Sequence, residues 1–440
     1  MLDLTPFRAE PARLKAALAR RGVNPEAIDA VAEVDARWSA LVEVREALRA
    51  RRRRISEEYA AGQRAGPLAF VAGTVPFSPE ALKQLGRQVA GELADVEDRM
   101  AALESDRDAA LLALPNLPST DTPDTPPAAA PPPAWSKPFA PLSHADLVEV
   151  LCLAESHDPP GLGRGFLVWR GRGARLVRAL VNFMLDVHTR EFGCEEVRAP
   201  ALATRAALTA SAHLPTHEGR MYRVAGDPDA PPQGDAGDLF LAPRAEPHLA
   251  MLYAGQVLDA AALPVRLASA GPAWRREGPA AGATGQGLVR LHEFDTVERY
   301  TFCRPEDADA ELAHAVRAAE TIIERLGVPF RRQLRAATEL SHAAAHTVDL
   351  DVWSPATPGG WLTVASLSTF TDYQARRTGT RYREAGGHTG LVHTVGGAAV
   401  AVPRLVAAIL ETHQEPDGSV CLPAALAPLV GEDILRAKSD

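Results

Sequence analysis

Cysteine is scarce in this chain: Cys152, Cys194, Cys303 and Cys421 are the only four in 440 residues, and no two form a CxxC pair. That spacing excludes a disulfide-stapled scaffold, gives no zinc signature and suits a reducing, intracellular compartment. Long apolar runs are also missing. No stretch approaches the roughly 20 uninterrupted apolar residues of a membrane-spanning helix. The residues after Met1, LDLTPFRAEPARLK, lack the apolar core of a signal peptide, so the expected location is the cytoplasm. Positive charge is in deficit, with 47 Lys and Arg against 56 Asp and Glu and a net charge of −9. This argues against whole-molecule attraction to nucleic acid. A local basic patch remains open, because salt screens fields beyond roughly 10 Å at 0.1 M.

What is present is a soluble, globular composition, 46% hydrophobic and 23% charged. The length predicts two domains. From Ile28 the chain reads as one long helix, with Val34, Trp38, Leu41, Arg45, Leu48, Arg52, Ile55 and Tyr59 at alternating spacings of four and three. That is a heptad seam with two arginines set into it. Gly66-Pro67 and Gly73 interrupt it, and Ser78-Pro79-Glu80 reads as an N-cap followed by proline at the first helical position. A second seam follows through Leu82, Leu85, Val89, Val96, Met100, Leu103, Ala110 and Leu114. The pattern predicts an antiparallel coiled-coil hairpin over 1–114, each arm about 50 Å long at 1.5 Å per residue. Ten prolines between Pro115 and Pro141 predict a semi-rigid linker. From 142 onward, helical runs at 173–193, Asp307–Leu326 and Arg404–His413 alternate with β-like runs (DLFLAP, PVRLASAGPAW, GLVRLHEFDTVERYTF, TVDLDVWS, WLTVAS). This predicts an α+β domain around a largely antiparallel sheet.

Several segments carry a family likeness. GARLVRALVNFMLDVHTREFGCEEVRAP, closing at Pro200, resembles motif 1 of class II aminoacyl-tRNA synthetases in its seryl form. LAPRAE (241–246) sits where the amino-acid-binding TxE loop belongs, and WRREGPAAGATGQGLVRLHEFDTVE (274–298) sits at motif 2. DLDVW, TDYQARR and VHTVGGAAVAVPRLVAAILETHQEPDGSVCLPAAL follow in family order, the last resembling motif 3 and its tail. The resemblance covers nearly the whole chain apart from the proline-rich stretch. It implies a class II catalytic domain, with an antiparallel sheet flanked by helices, over 142–440. It also implies ATP and Mg²⁺ as cofactors and a homodimer through motif 1. The arm resembles the one that grips the long variable arm of serine tRNA.

The reaction implied is largely positioning plus electrostatic stabilisation of charge at the α-phosphorus of ATP. By resemblance, Arg275 contacts the α-phosphate and Glu277 is its acidic partner. Phe294 stacks on adenine, and Arg404 covers adenine from the other side and reaches the γ-phosphate. Glu246 and Glu298 face the amino acid. Arg49, Arg51, Arg52, Arg53 and Arg54 lie on the arm helix, where RNA phosphates would be neutralised.

Other family positions have changed. Arg244 replaces the TxE threonine, while Gly396 and Ala398 replace an asparagine and a serine beside the substrate. Thr363 stands for a metal-binding glutamate, Thr369 for an asparagine, and Ala283 and Gln286 for two arginines of the motif 2 loop. A neutral hydroxyl is a poor ligand for Mg²⁺, which puts the metal in doubt. His342 and His346, four apart, and His388 could suggest a metal, but HAAAH lacks the glutamate of a metalloprotease; no metal ligand is assigned. The sequence is read as a seryl-tRNA synthetase-like paralogue with altered serine and metal sites. Such a protein would use tRNA, aminoacyl-tRNA or a different amino acid outside translation. The alternatives are an ordinary ATP-dependent serine–tRNA ligase and a non-catalytic tRNA- or nucleotide-binding regulator. Membrane association is not expected.

Overall fold

Proline opens both long helices of the N-terminal unit in a computed structural model that describes residues 1–65, 77–128, 130–155, 163, 165–225, 238–277 and 287–437. The unit spans 3–114. It comprises two short helices, α1 (Thr5–Ala9) and α2 (Pro11–Ala19), then α3 (Pro25–Ala65) and α4 (Pro79–Ala113). The Ser78 hydroxyl accepts a hydrogen bond from the Ala81 N–H and caps α4. The interruption at Gly66-Pro67 and Gly73 lies outside the described residues.

The two long helices run antiparallel. Leu41 packs with Val96, Met100 and Leu103, and Ile55 with Leu82 and Val89. The seam of α4 runs through Val89, Leu93, Val96, Met100, Leu103, Arg107 and Leu111, which corrects the expected register at its end, where Ala110 had been placed. Arg107 interrupts the apolar pattern and yet is buried. Its guanidinium lies 3.4 Å from Asp35 and 5.0 Å over the Trp38 ring, so a charge occupies a seam position by being paired. In α3, Arg45 is half-buried but Arg52 faces solvent, so only one of the two expected arginines enters the seam.

The second unit spans Met1–Leu2 and 115–440 and is built on a seven-stranded sheet. Its strands are β1 (Glu195–Glu196), β2 (Val265–Trp274), β3 (Glu293–Cys303), β4 (Phe330–Leu334), β5 (His346–Trp353), β6 (Trp361–Thr371) and β7 (His393–Ala401), in the order β1-β2-β3-β7-β6-β5-β4. All neighbours pair antiparallel except β1 and β2. The run DLFLAP forms a strand, Leu239–Leu241, that pairs with Leu202–Thr204 outside this sheet.

Alternation along the strands separates two faces. Val297, Leu350, Val352, Leu367 and Val395 point into one core with the apolar faces of three helices, α6 (Arg172–Asp186), α8 (Ala308–Arg325) and α10 (Val402–His413). Helix α6 ends in a π turn, Val187–Glu191, where the sequence suggested regular helix. There the buried His188 Nε2 donates to the Ala399 carbonyl at 2.7 Å. The opposite face holds Thr296, Glu298, Gly396 and Ala398 and is left for the site.

The proline-rich stretch is bonded into this unit. The Asn116 amide donates to the Ala343 and Phe370 carbonyls at 2.9 and 2.8 Å, and the Ser119 N–H to Ala345 at 2.8 Å. Trp135 lies 5.9 Å from the Trp353 ring. Arg331 and Gln333 on the terminal strand β4 donate to the Ala130 and Pro127 carbonyls.

Candidate active site

Strand β2 ends at Trp274, and the next backbone N–H, that of Arg275, donates to the His292 carbonyl at 2.8 Å. This pins both ends of the connecting loop, so the Arg275 guanidinium lies 5.3 Å over the Phe294 ring on β3. Burial, with the Arg244 and Arg404 cations nearby, lowers the Arg275 pKa to about 10. It stays charged at neutral pH, and no carboxylate bonds it among the described residues. Glu277 is held elsewhere, accepting from Arg290 Nε at 2.6 Å. Arg404, in the first turn of α10, donates from Nε to the Val289 carbonyl at 3.2 Å and from Nη1 to that of Thr363 at 2.8 Å. Burial lowers its pKa, and the Arg335 cation adds to the effect.

On the sheet side of the same cavity lies a buried ionic network. Helix α7 (Glu246–Met251) starts with Glu246, whose backbone N–H donates to Glu298 Oε2 at 3.0 Å. Arg244 reaches both acids, with Nη1 3.2 Å from Glu246 Oε2 and Nε 3.5 Å from Glu298 Oε1. The other Glu246 oxygen accepts from Gln374 Nε2 at 2.8 Å, and Gln374 accepts from the Tyr300 hydroxyl at 2.6 Å and from Thr394 at 3.0 Å. Burial alone would lower the Arg244 pKa, but the Glu298 and Glu246 carboxylates outweigh it and raise the net value. Burial raises the Glu298 pKa against the pull of Arg244. Gln374 and Tyr300 were not singled out from the sequence as site residues; the only signal for Gln374 was the family-like string TDYQARR.

Register explains which altered positions meet. Ala398 pairs with Glu298 across β3–β7 and with Ser366 across β7–β6, so it borders the acids directly. Gly396 pairs with Tyr300. A Cβ at Gly396 would stand 2.8 Å from the Arg299 carbonyl oxygen and 2.9 Å from the Tyr300 ring. No side chain fits there without a backbone shift, and Tyr300 covers the space.

At the expected metal position the Thr363 hydroxyl donates to Asp351 Oδ1 at 2.7 Å, while Asp351 Oδ2 is bound by Arg331. Asp349, raised in pKa by burial, pairs with Arg335 at 2.6 Å. Asp351 is taken up by an arginine and a hydroxyl, and Asp349 is bound by an arginine through Oδ2, which leaves only Asp349 Oδ1 without a hydrogen bond among the described residues. A single open carboxylate oxygen beside two arginines is too small a donor set for Mg²⁺. Thr369, which stands for a family asparagine, is buried in β6 and does not line the cavity. Ala283 and Gln286 lie outside the described residues. His346 bonds Thr122 and His342 lies near Thr216, and the two do not form a cluster. Among the described residues no group of three or more His, Cys, Asp or Glu could hold a metal ion.

Two cavities adjoin here. One, of about 270 Å³, is lined by Arg275, Phe294, Glu298, Thr363, Ala398 and Arg404 among others. The second, of about 730 Å³, is lined by His213, His217, Arg220, Arg276 and His342 among others. Arg244, Glu246, Arg275, Glu277, Arg290 and Ser341 belong to both. The first carries five arginines against three glutamates, a surplus that favours an anionic ligand. The structure therefore brings Arg275, Glu277, Phe294, Arg404, Arg244, Glu246, Glu298, Gly396, Ala398 and Thr363 to one cavity. On α3, Arg51, Arg52, Arg53 and Arg54 are exposed. Arg49 pairs with Glu97 at 2.9 Å, and Arg51 stands 3.8 Å from Glu92.

Comparison with known proteins agrees along the whole chain. Residues 1–118 match the family model of the seryl-tRNA synthetase N-terminal domain. Residues 225–413 match that of the class II tRNA synthetase core domain (G, H, P, S and T). A protein named serine–tRNA ligase from Gemmatimonas aurantiaca is 38% identical, over 99% of this chain and all of its own length. One of the same name from Thermotoga maritima is 35% identical over 99% of this chain and 100% of its own. Among solved structures, the seryl-tRNA synthetase of Pyrococcus horikoshii complexed with ATP superposes with a TM-score of 0.87 at 26% identity, covering 100% of both chains. The cytoplasmic serine–tRNA ligase of Naegleria fowleri in complex with AMP has the same fold, with a TM-score of 0.82 at 22% identity over 100% of this chain and 99% of its own.

Proposed function

The chain belongs to the class II seryl-tRNA synthetase family, and from that premise we propose that it binds ATP on the open face of β3 and β7 and activates an amino-acid carboxylate there. The activated group then passes to tRNA, the reaction for which its relatives are named serine–tRNA ligase. One observation carries this reading: Arg275, Phe294 and Arg404 converge on one cavity with Glu246 and Glu298. Phe294 offers a stacking face for adenine, and Arg275 and Arg404 offer charge to phosphate oxygens, in fork geometry suited to them. As the carboxylate attacks the α-phosphorus, pyrophosphate leaves. Fixed cations near that centre stabilise the growing charge without reorganising. Magnesium, which the family implies, does not fit the paired donors around Thr363. The arm, with Arg49 and Arg51 to Arg54, is the surface proposed for tRNA of the serine type, and a dimer through α6 and β1 is proposed from the family.

A second reading is favoured by the changed positions. Arg244 bonds both acids, Gly396 and Ala398 offer no side-chain hydrogen bonds, and Thr363 replaces a carboxylate. These favour a paralogue that uses tRNA, charged tRNA or another amino acid outside translation. ATP–pyrophosphate exchange with each standard amino acid separates the two. Exchange with serine establishes the ligase; exchange with another amino acid establishes a changed substrate. Silence throughout rules out adenylation and leaves either a transferase that starts from charged tRNA or a tRNA- or nucleotide-binding protein.

A further inference from the structure

Arg244 does more than replace a neutral residue. Glu246 and Glu298 are the buried acids of the pocket, at 4% and 2% relative exposure, and the guanidinium lies against both. The remaining Glu246 oxygen is held by Gln374, and the remaining Glu298 oxygen by the Glu246 N–H. One guanidinium against two carboxylates thus already meets, from within the chain, part of the negative charge that would hold a ligand's ammonium group. Arg244 keeps about a fifth of its surface exposed and sits on the wall between the two cavities, so the larger one gives it room to withdraw.

We propose that Arg244 is a tethered competitor for the α-ammonium group of the substrate: an amino acid enters only by displacing the guanidinium from Glu246 and Glu298 toward the second cavity. This rests on the reading of the two acids as the amino-acid pocket, and it makes Arg244 the residue that sets specificity there. A carboxylic acid whose α-substituent is neutral need not displace it. The displaced arginine enters a chamber whose wall holds Arg220, Arg275 and Arg276, while Arg290 there is paired with Glu277 at 2.6 Å. Repulsion there favours return to the acids, so the competition is weighted against the incoming ammonium.

The test compares serine with glycerate, which carries a hydroxyl in place of the ammonium. Calorimetry in the presence of a non-hydrolysable ATP analogue gives the affinity of each for the wild-type chain, Arg244→Thr and Arg244→Met. The methionine variant keeps most of the side-chain length without the charge, and thermal melts establish that each variant is folded. The expected result is serine affinity at least tenfold higher in both variants, with glycerate affinity changed less than threefold. Serine affinity that is unchanged, lower, or undetectable in all three proteins overturns the proposal. An equal rise for glycerate and serine also overturns it, because Arg244 would then act by volume alone. The ligase reading fails separately. A variant that gains serine binding but gives no pyrophosphate exchange supports the competitor and defeats the ligase. A wild-type enzyme that exchanges serine with a KM unmoved by Arg244→Thr does the reverse.

Discussion

Two arginines over the cavity differ in what satisfies them, and the difference predicts their behaviour. Arg404 spends its donors on the Val289 and Thr363 carbonyls, whereas Arg275 faces Phe294 with Glu298 and Glu277 acting on it only at a distance and no carboxylate in direct contact among the described residues. Replacing Arg275 by alanine should weaken ATP binding by about 2 kcal/mol, roughly thirtyfold in Kd. An unchanged calorimetric Kd would remove the nucleotide from this cavity. Gly397 is constrained by backbone alone: φ is +147°, and a Cβ would stand 2.0 Å from the Ser366 carbonyl oxygen. Gly397→Ala should therefore cost at least about 3 kcal/mol of stability. A denaturant midpoint within error of wild type would contradict the β6–β7 register. The single residues around the cavity were legible because they lie in ordered strings with a family likeness. Their partners were not, since Gln374 meets Glu246 across 128 positions and no local pattern encodes that meeting.

At the scale of elements, the two arm helices were readable from their seams and caps, and the strands of the sheet from β-like runs. The misreadings have physical causes. The expected seam of α4 passes through Ala110 and omits Arg107, because the pairing that buries Arg107 lies with Asp35 on the other helix and cannot be seen from one helix. Composition likewise marks the proline-rich stretch as extended, but not the backbone groups that it bonds. On α3, Arg52, Arg53 and Arg54 have no ion pair among the described residues, and Arg51 has only a loose one. Arg51→Glu together with Arg53→Glu should weaken binding of serine-type tRNA and reduce the slope of log K against log salt by about 2. An unaltered slope in a fluorescence titration would place the RNA elsewhere.

For the whole molecule, acid stability follows from the histidine behind the sheet. Burial lowers the His188 pKa from 6.5 to about 4, so the native state holds it neutral while the unfolded chain protonates. Stability should thus fall as pH drops from about 6.5 to about 4 and level off for this group below that, by about 3 kcal/mol in all. Urea midpoints measured across that range would show the slope, and His188→Gln should reduce it by this share, leaving the part contributed by other histidines that burial lowers, such as His213, His393 and His413. A second property of the whole follows from the position of β4 at the end of the sheet. An open strand edge invites another chain to extend it, which is the first step of aggregation. Here Arg331 and Gln333 bind the proline-rich stretch along that edge, and proline has no N–H with which to build a further ladder. Those prolines are thus a guard on solubility: a chain lacking 123–133 should retain its fold yet self-associate on concentration, as light scattering would show.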